Sequence, residues 1–144
     1  MNTGFVFKDS EDAAAKFALA AFGPIYTRIG NPTNDALEGK IAALEGGMAA
    51  LAVSSGHAAQ LIAFSNLMSA GDNFVSTNKL YGGSVTQFTQ TFSRFGWEAR
   101  MVGIDDYAAM EAAIDANTKA VYCESLANPG HEIMSFNLFC TLRY

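Results

Sequence analysis

At 144 residues the chain has the length of one ordinary domain, enough to bury a core and too short for two full ones. Half of its residues are apolar and 16% are charged, a globular composition that excludes a disordered chain. Nine basic residues stand against fourteen acidic ones, a net charge of -5, so no basic stripe is available for a phosphate backbone and nucleic acid is not an expected partner.

The first predicted element is a helix from Asp9 to Phe22, acidic at its start, alanine-rich after that, and stopped by Gly23-Pro24. Gly23 to Thr33 holds Gly-Pro, Tyr26-Thr27-Arg28 and Asn31-Pro32, the pattern of an irregular loop fixed at two prolines, with Thr33 as cap for the next helix. Leu37, Ile41 and Leu44 recur at helical spacing up to Gly46-Gly47, which predicts that second helix. The period then changes. Leu51 to Ser54 reads as a short buried strand, and Gly56 to Leu67 as a helix closed by Gly71-Asp72.

Asn73 to Thr77 is the next predicted strand. Ser84 to Phe95 is threonine-rich, which favours strand, but Phe88, Phe92 and Phe95 fall at helical spacing and predict a helix ended by Gly96. Trp97 to Val102 reads as a strand, Asp105 to Asn117 as an alanine-rich helix, and Lys119 to Cys123 as a strand. This alternation predicts an α/β fold: a mostly parallel sheet covered by helices, preceded by a helical and looped arm. In such sheets ligands bind beyond the carboxyl ends of the strands.

Cys123 and Cys140 lie in apolar surroundings without CxxC or Cys/His spacing, so neither a metal site nor a disulfide framework is expected and a cytoplasmic location is. No run approaches the roughly 18 apolar residues of a membrane span, and no membrane partner is expected.

Three strand ends carry residues suited to chemistry. Ser54-Ser55-Gly56-His57 leads into a helix, where unpaired N–H groups and the helix dipole make an anion site; an ordinary turn with serine caps is the other reading. The lysine of a P-loop is missing and no GxGxxG occurs, so a single phosphate suits the turn better than a triphosphate or dinucleotide. Tyr81-Gly82-Gly83 offers an aromatic to stack on a flat ligand, or a glycine turn beside a core tyrosine. Glu124 to Pro129 offers a carboxylate, and in Asn128 an amide able to donate to a phenolate-like oxygen, or a plain Asn-Pro turn. In the proline-fixed loop, Arg28 has a fork for phosphate and Tyr26 a phenol, or both are solvated surface groups.

The order of these motifs resembles a known family. Tyr26 to Thr33, Leu37-Glu38, Leu44-Glu45-Gly46, Ser54-Ser55-Gly56, Tyr81-Gly82-Gly83 and Asn128-Pro129 are similar to the Cys/Met-metabolism branch of the fold-type-I pyridoxal-phosphate enzymes. Within it, Ser55 to Gln60 looks most like the O-acetylhomoserine sulfhydrylases. The resemblance implies an incomplete large domain of that fold: an arm and inter-subunit loop over 1–47, the front of the cofactor-binding domain over 48–130, and a divergent tail over 131–144.

It further implies pyridoxal 5′-phosphate as cofactor, its phosphate held by the amides of Gly56 and His57 and its ring stacked on Tyr81, which also serves the leaving-group side. Asn128 would bond the ring hydroxyl, and Tyr26 and Arg28 would reach the phosphate of a neighbouring subunit in a homodimer or homotetramer. The implied reaction replaces the acetate of O-acetylhomoserine by sulfide to give homocysteine. The family's Schiff-base lysine lies in a Ser-x-Thr-Lys context that none of Lys8, Lys16, Lys40, Lys79 and Lys119 shares, so this chain alone is expected to be inactive. Lys79, close to Tyr81, is expected to be a surface residue. The alternatives are a non-catalytic remnant that associates with full-length subunits, and a methionine or cystathionine gamma-lyase of the same family.

Overall fold

The computed structural model describes residues 2–135; Cys140 and the rest of the expected tail beyond Ser135 lie outside the described residues. The described residues form two compact units, divided between Ser54 and Ser55.

In the first unit the chain start pairs with the proline-fixed loop. The Phe5 amide donates to the Ile25 carbonyl (3.1 Å) and the Thr27 amide to that of Thr3 (2.8 Å). Helix α1 spans Ser10–Phe17, capped by the Asp9 carboxylate, which accepts from the Asp12 amide. It is shorter than the alanine-rich run predicts: Leu19 turns to a φ of 57°, and the amides of Ala20 and Ala21 fold back onto the Ala15 carbonyl. Helix α2 spans Pro32–Glu45 and ends on Gly46, whose φ of 67° suits a residue without a side chain. Its cap is Asn31, earlier in the chain than the expected Thr33: the Asn31 side chain accepts from the Thr33 amide, and Pro32 takes the first helical position. Leu51 to Ser54, expected as a strand, forms none. A buried-strand pattern makes a strand only beside a neighbour that completes its ladder, and the described sheet contains none of these residues. The Ala52 amide instead donates to the Glu38 carboxylate at 2.7 Å.

The second unit holds the α/β architecture. Helix α3 spans Gly56–Leu67, and the strands are β1 (Asn73–Thr77), β2 (Glu98–Val102) and β3 (Thr118–Tyr122). They form a parallel sheet in the order β2-β1-β3, as the alternating pattern predicts. Between β1 and β2 the chain is helical from Gly82 to Phe95, as the phenylalanine spacing implies, but not uniformly so. Helix α4 (Gly82–Thr86) passes through a π turn (Gln87–Thr91) into a 3-10 turn (Phe92–Phe95) that stops at Gly96, φ 78°. Helix α5 (Tyr107–Ala112), between β2 and β3, covers only the middle of its predicted range. The Asp115 carboxylate claims the chain after it for a turn, accepting from the Asn117 amide at 2.8 Å.

Strand alternation sends β1 side chains to two cores. Phe74 packs on one face with Phe64, Phe88, Phe92 and Trp97; Val75 packs on the other with Ile104, Met110, Ala127 and Met134. The Phe64 and Phe74 ring centroids lie 4.3 Å apart, Phe74 meets Phe88 edge-on at 5.1 Å, and Phe74, Phe88 and Phe92 are fully buried. This packing seats α3 and α4 against one face of the sheet, so that the first turn of α3 and the start of α4 meet at the carboxyl ends of β1 and β3.

Candidate functional site

The first turn of α3 is built by Ser55, whose hydroxyl accepts from the Ala58 amide at 3.1 Å. The first backbone bond of the helix is donated by Ala59 to the Ser55 carbonyl. The amides of Gly56 and His57 therefore precede the helical ladder and point out of its positive end, the arrangement that attracts an anion.

Above this turn lies a cavity of about 320 Å³ lined by Ser55, Gly56, His57, Gln60, Tyr81, Ser84 and Glu124. Each lining group has a local cause. Tyr81 is the residue before α4, and its backbone amide donates to Glu124 Oε1 at 2.9 Å. The His57 and Tyr81 rings lie 5.7 Å apart and 31° from parallel. They converge over Gly83, where a methyl group would sit 2.6 Å from a ring carbon of each, so that a side chain here would displace the rings. Gln60, one helical turn beyond Gly56, donates through Nε2 to Ser84 Oγ (3.0 Å) and to the Tyr122 hydroxyl (2.8 Å). Burial raises the Tyr122 phenol above its ordinary pKa, so at neutral pH the phenol is uncharged. Gln87 Nε2 donates to the His57 carbonyl at 3.0 Å and ties the α3 turn to the helical stretch after α4.

His57 Nε2 and Gln60 Oε1 are buried without a hydrogen-bond partner. Unpaired buried polar atoms cost about 1–3 kcal/mol each, and a polar ligand in the cavity is one way to satisfy them. A flat, singly phosphorylated ring matches the whole arrangement: free helix-start amides, an exposed aromatic, and a volume in the range of small-molecule sites.

The structure thus brings Gly56, His57 and Tyr81 of the expected site residues into one cavity. Asn128 is exposed and does not line it; it stands in a turn closed by the Ala127 amide on the Glu132 carbonyl. Tyr26 and Arg28 are exposed in the first unit. Lys79 is exposed and pairs with Glu132 at 3.7 Å. Ser84, Gln87 and Tyr122 were not legible as site residues. Gln60 carried a signal, since a polar residue four after Gly56 shares its helix face.

A three-stranded parallel sheet with an anion-seeking helix start and an aromatic at its carboxyl edge places the chain among α/β proteins that seat a phosphorylated ligand at strand ends. Residues 1–142 match the family model described as Cys/Met metabolism PLP-dependent enzyme, and the chain belongs to that family. It is 49% identical over 134 residues to a homocysteine/cysteine synthase of Saccharomyces cerevisiae, covering 93% of this chain and 30% of the relative. It is 51% identical over 132 residues to O-acetyl-L-homoserine sulfhydrylase 1 of Thermus thermophilus, covering 91% and 31%. Among solved structures, one assigned as an O-acetylhomoserine (thiol)-lyase from Campylobacter jejuni superposes with a TM-score of 0.87 at 44% identity, over 96% of this chain and 34% of that one. That structure carries N′-pyridoxyl-lysine-5′-monophosphate. The chain therefore spans about a third of the length of the relatives it matches.

Proposed function

We propose that this chain forms the front of the cofactor seat of an O-acetylhomoserine sulfhydrylase, which exchanges the acetate of O-acetylhomoserine for sulfide to give homocysteine. The observation that carries this reading is that Gly56 and His57, at the start of α3, and Tyr81 line one and the same cavity. Bound pyridoxal phosphate supplies the electron sink for chemistry at the substrate's alpha and gamma carbons.

The residues of this chain contribute placement. The Gly56 and His57 amides hold the phosphate, and Tyr81 stacks on the ring and flanks the leaving group. Asn128, exposed and outside the cavity lining, is assigned to the ring hydroxyl by the family resemblance alone. Tyr26 and Arg28 serve the phosphate of a neighbouring subunit in a cytoplasmic homodimer or homotetramer. Sulfhydrylase and homocysteine synthase names among relatives at 44–51% identity support this over the gamma-lyase reading, for which the cystathionine gamma-lyase of Lactobacillus plantarum is a neighbour at 36%.

Turnover needs an anchoring lysine, and none of the lysines here stands in the Ser-x-Thr-Lys context. The 144-residue chain by itself is therefore expected to be inactive. Two charge-assisted hydrogen bonds of about 1.5–3 kcal/mol each, from the Gly56 and His57 amides, barely offset the low end of an association cost of about 4–15 kcal/mol, so non-covalent binding by this chain should be millimolar or weaker. The test has two parts. The intact gene product is assayed with O-acetylhomoserine and sulfide, and with methionine alone; homocysteine from the first pair supports the proposal, and cleavage of methionine alone refutes it. Equilibrium dialysis of the 144-residue chain then measures its affinity for pyridoxal phosphate, and micromolar retention would contradict the energetic argument.

A further inference from the structure

Among the described residues, Glu124 is the one carboxylate that lines the cavity, and a negative charge beside a phosphate seat is unfavourable unless it does something else there. Its geometry says what. Glu124 stands two residues beyond the end of β3, and its Oε1 accepts from the backbone amide of Tyr81 at 2.9 Å, across 43 residues of sequence. Tyr81 precedes α4, with no side-chain cap of its own, and the segment joining it to β1 includes exposed Asn78 and Lys79. The Tyr81 carbonyl accepts from the Ser84 and Val85 amides (2.8 and 3.2 Å) at the start of α4, and the His57 ring lies against its side chain; the Tyr81 amide, which precedes the helical ladder, has Glu124 as its partner.

We propose that Glu124 is a positioning residue: its carboxylate clamps the Tyr81 backbone to the end of β3 and so sets the plane in which the Tyr81 ring meets a flat ligand. The clamp joins the strand-end segment that carries Tyr81 to the one that continues into Asn128. A charge-assisted bond to a backbone amide is stronger than a neutral one, which accounts for a carboxylate here despite the anion beside it. The inference rests on the reading of this cavity as a cofactor seat.

The test uses the intact gene product and pyridoxal 5′-phosphate. Three quantities are measured for the unsubstituted protein, Glu124→Ala and Glu124→Gln: the dissociation constant by equilibrium dialysis, the visible circular dichroism that an asymmetrically held ring acquires, and the thermal midpoint. Glu124→Ala should weaken binding about tenfold and abolish most of the induced dichroism per bound cofactor. Glu124→Gln, which keeps a side-chain oxygen as acceptor, should restore the dichroism. Should Glu124→Ala fail to fold, Glu124→Met, of similar length without a strong acceptor, takes its place. Unchanged dichroism in the Ala or Met variant overturns the clamp while leaving the cofactor seat intact, and so does a Gln variant as impaired as the Ala one. Absence of binding by the unsubstituted protein overturns the seat and the clamp together.

Discussion

Replacing Gly83 by alanine separates the cost of folding from the cost to the site. The added methyl would lie 2.6 Å from Cε1 of His57 and from Cε1 of Tyr81, and 2.9 Å from His57 Nε2. Carbon contacts relax at about 3.5–4 Å, so both rings must withdraw by about 1 Å. Crowding of this kind costs about 1–3 kcal/mol in a packed core, but Tyr81 is 54% exposed and its ring is free to swing outward. Alanine also gains about 1 kcal/mol over glycine inside a helix. The two terms nearly cancel, and the predicted net loss of stability is below about 1 kcal/mol. Ligand stacking has no such compensation. An aromatic pair is worth about 0.5–1.5 kcal/mol, so a displaced Tyr81 ring should weaken pyridoxal-phosphate binding about two- to twelvefold. Urea denaturation followed by far-ultraviolet circular dichroism and equilibrium dialysis of the ligand measure the two effects on one preparation. Undiminished affinity in the alanine variant would refute the assignment of the two rings to the ligand, and a stability loss of about 3 kcal/mol would show that Gly83 serves the core instead.

Phe88→Ala should cost about 3–5 kcal/mol, because Phe88 is fully buried among Phe64, Phe74 and Phe92; a loss under about 1 kcal/mol in urea titration would contradict the packing described. Gln60→Leu removes the donor to the Tyr122 and Ser84 hydroxyls and should destabilise by about 1–2 kcal/mol, read from the denaturation midpoint at constant slope. The Asp115 carboxyl is held well below its ordinary pKa of 3.8 by the Asn73 amide, then by Arg100 and the Asn117 amide. A depressed folded-state pKa stabilises the fold fully above the ordinary value, and the contribution is lost as pH falls through the folded one. The unsubstituted protein should therefore lose more stability than Asp115→Asn between about pH 6 and about pH 2, and parallel pH profiles would contradict this.

The strands and the helices flanking them were legible because their signals are local. Asn73–Thr77 came out to the residue and the other two strands within one, since short segments rich in strand-forming residues and bounded by turn formers leave little choice. Helix ends were less legible where several stop signals compete. Asn31 and Thr33 are both good caps, and Pro32 decides between them by its fixed φ. Leu51 to Ser54 shows the limit of pattern reading, because a strand is defined by its neighbour and the neighbour is not written in the segment.

The sequence by itself pointed to the family and the cofactor class, and it located the ends of β1 and β3 at which Tyr81 and Glu124 stand, because motif order and hydrophobic period are properties of the chain. Only the tertiary structure decided which side chains meet. The contact of Glu124 with the Tyr81 amide, the His57 ring over Gly83, and the Gln60 bridge to Tyr122 span 43, 26 and 62 residues. Those pairings follow from strand order and from the phenylalanine core that seats α3 and α4 on the sheet, and distances between residues so far apart in sequence are fixed by packing alone.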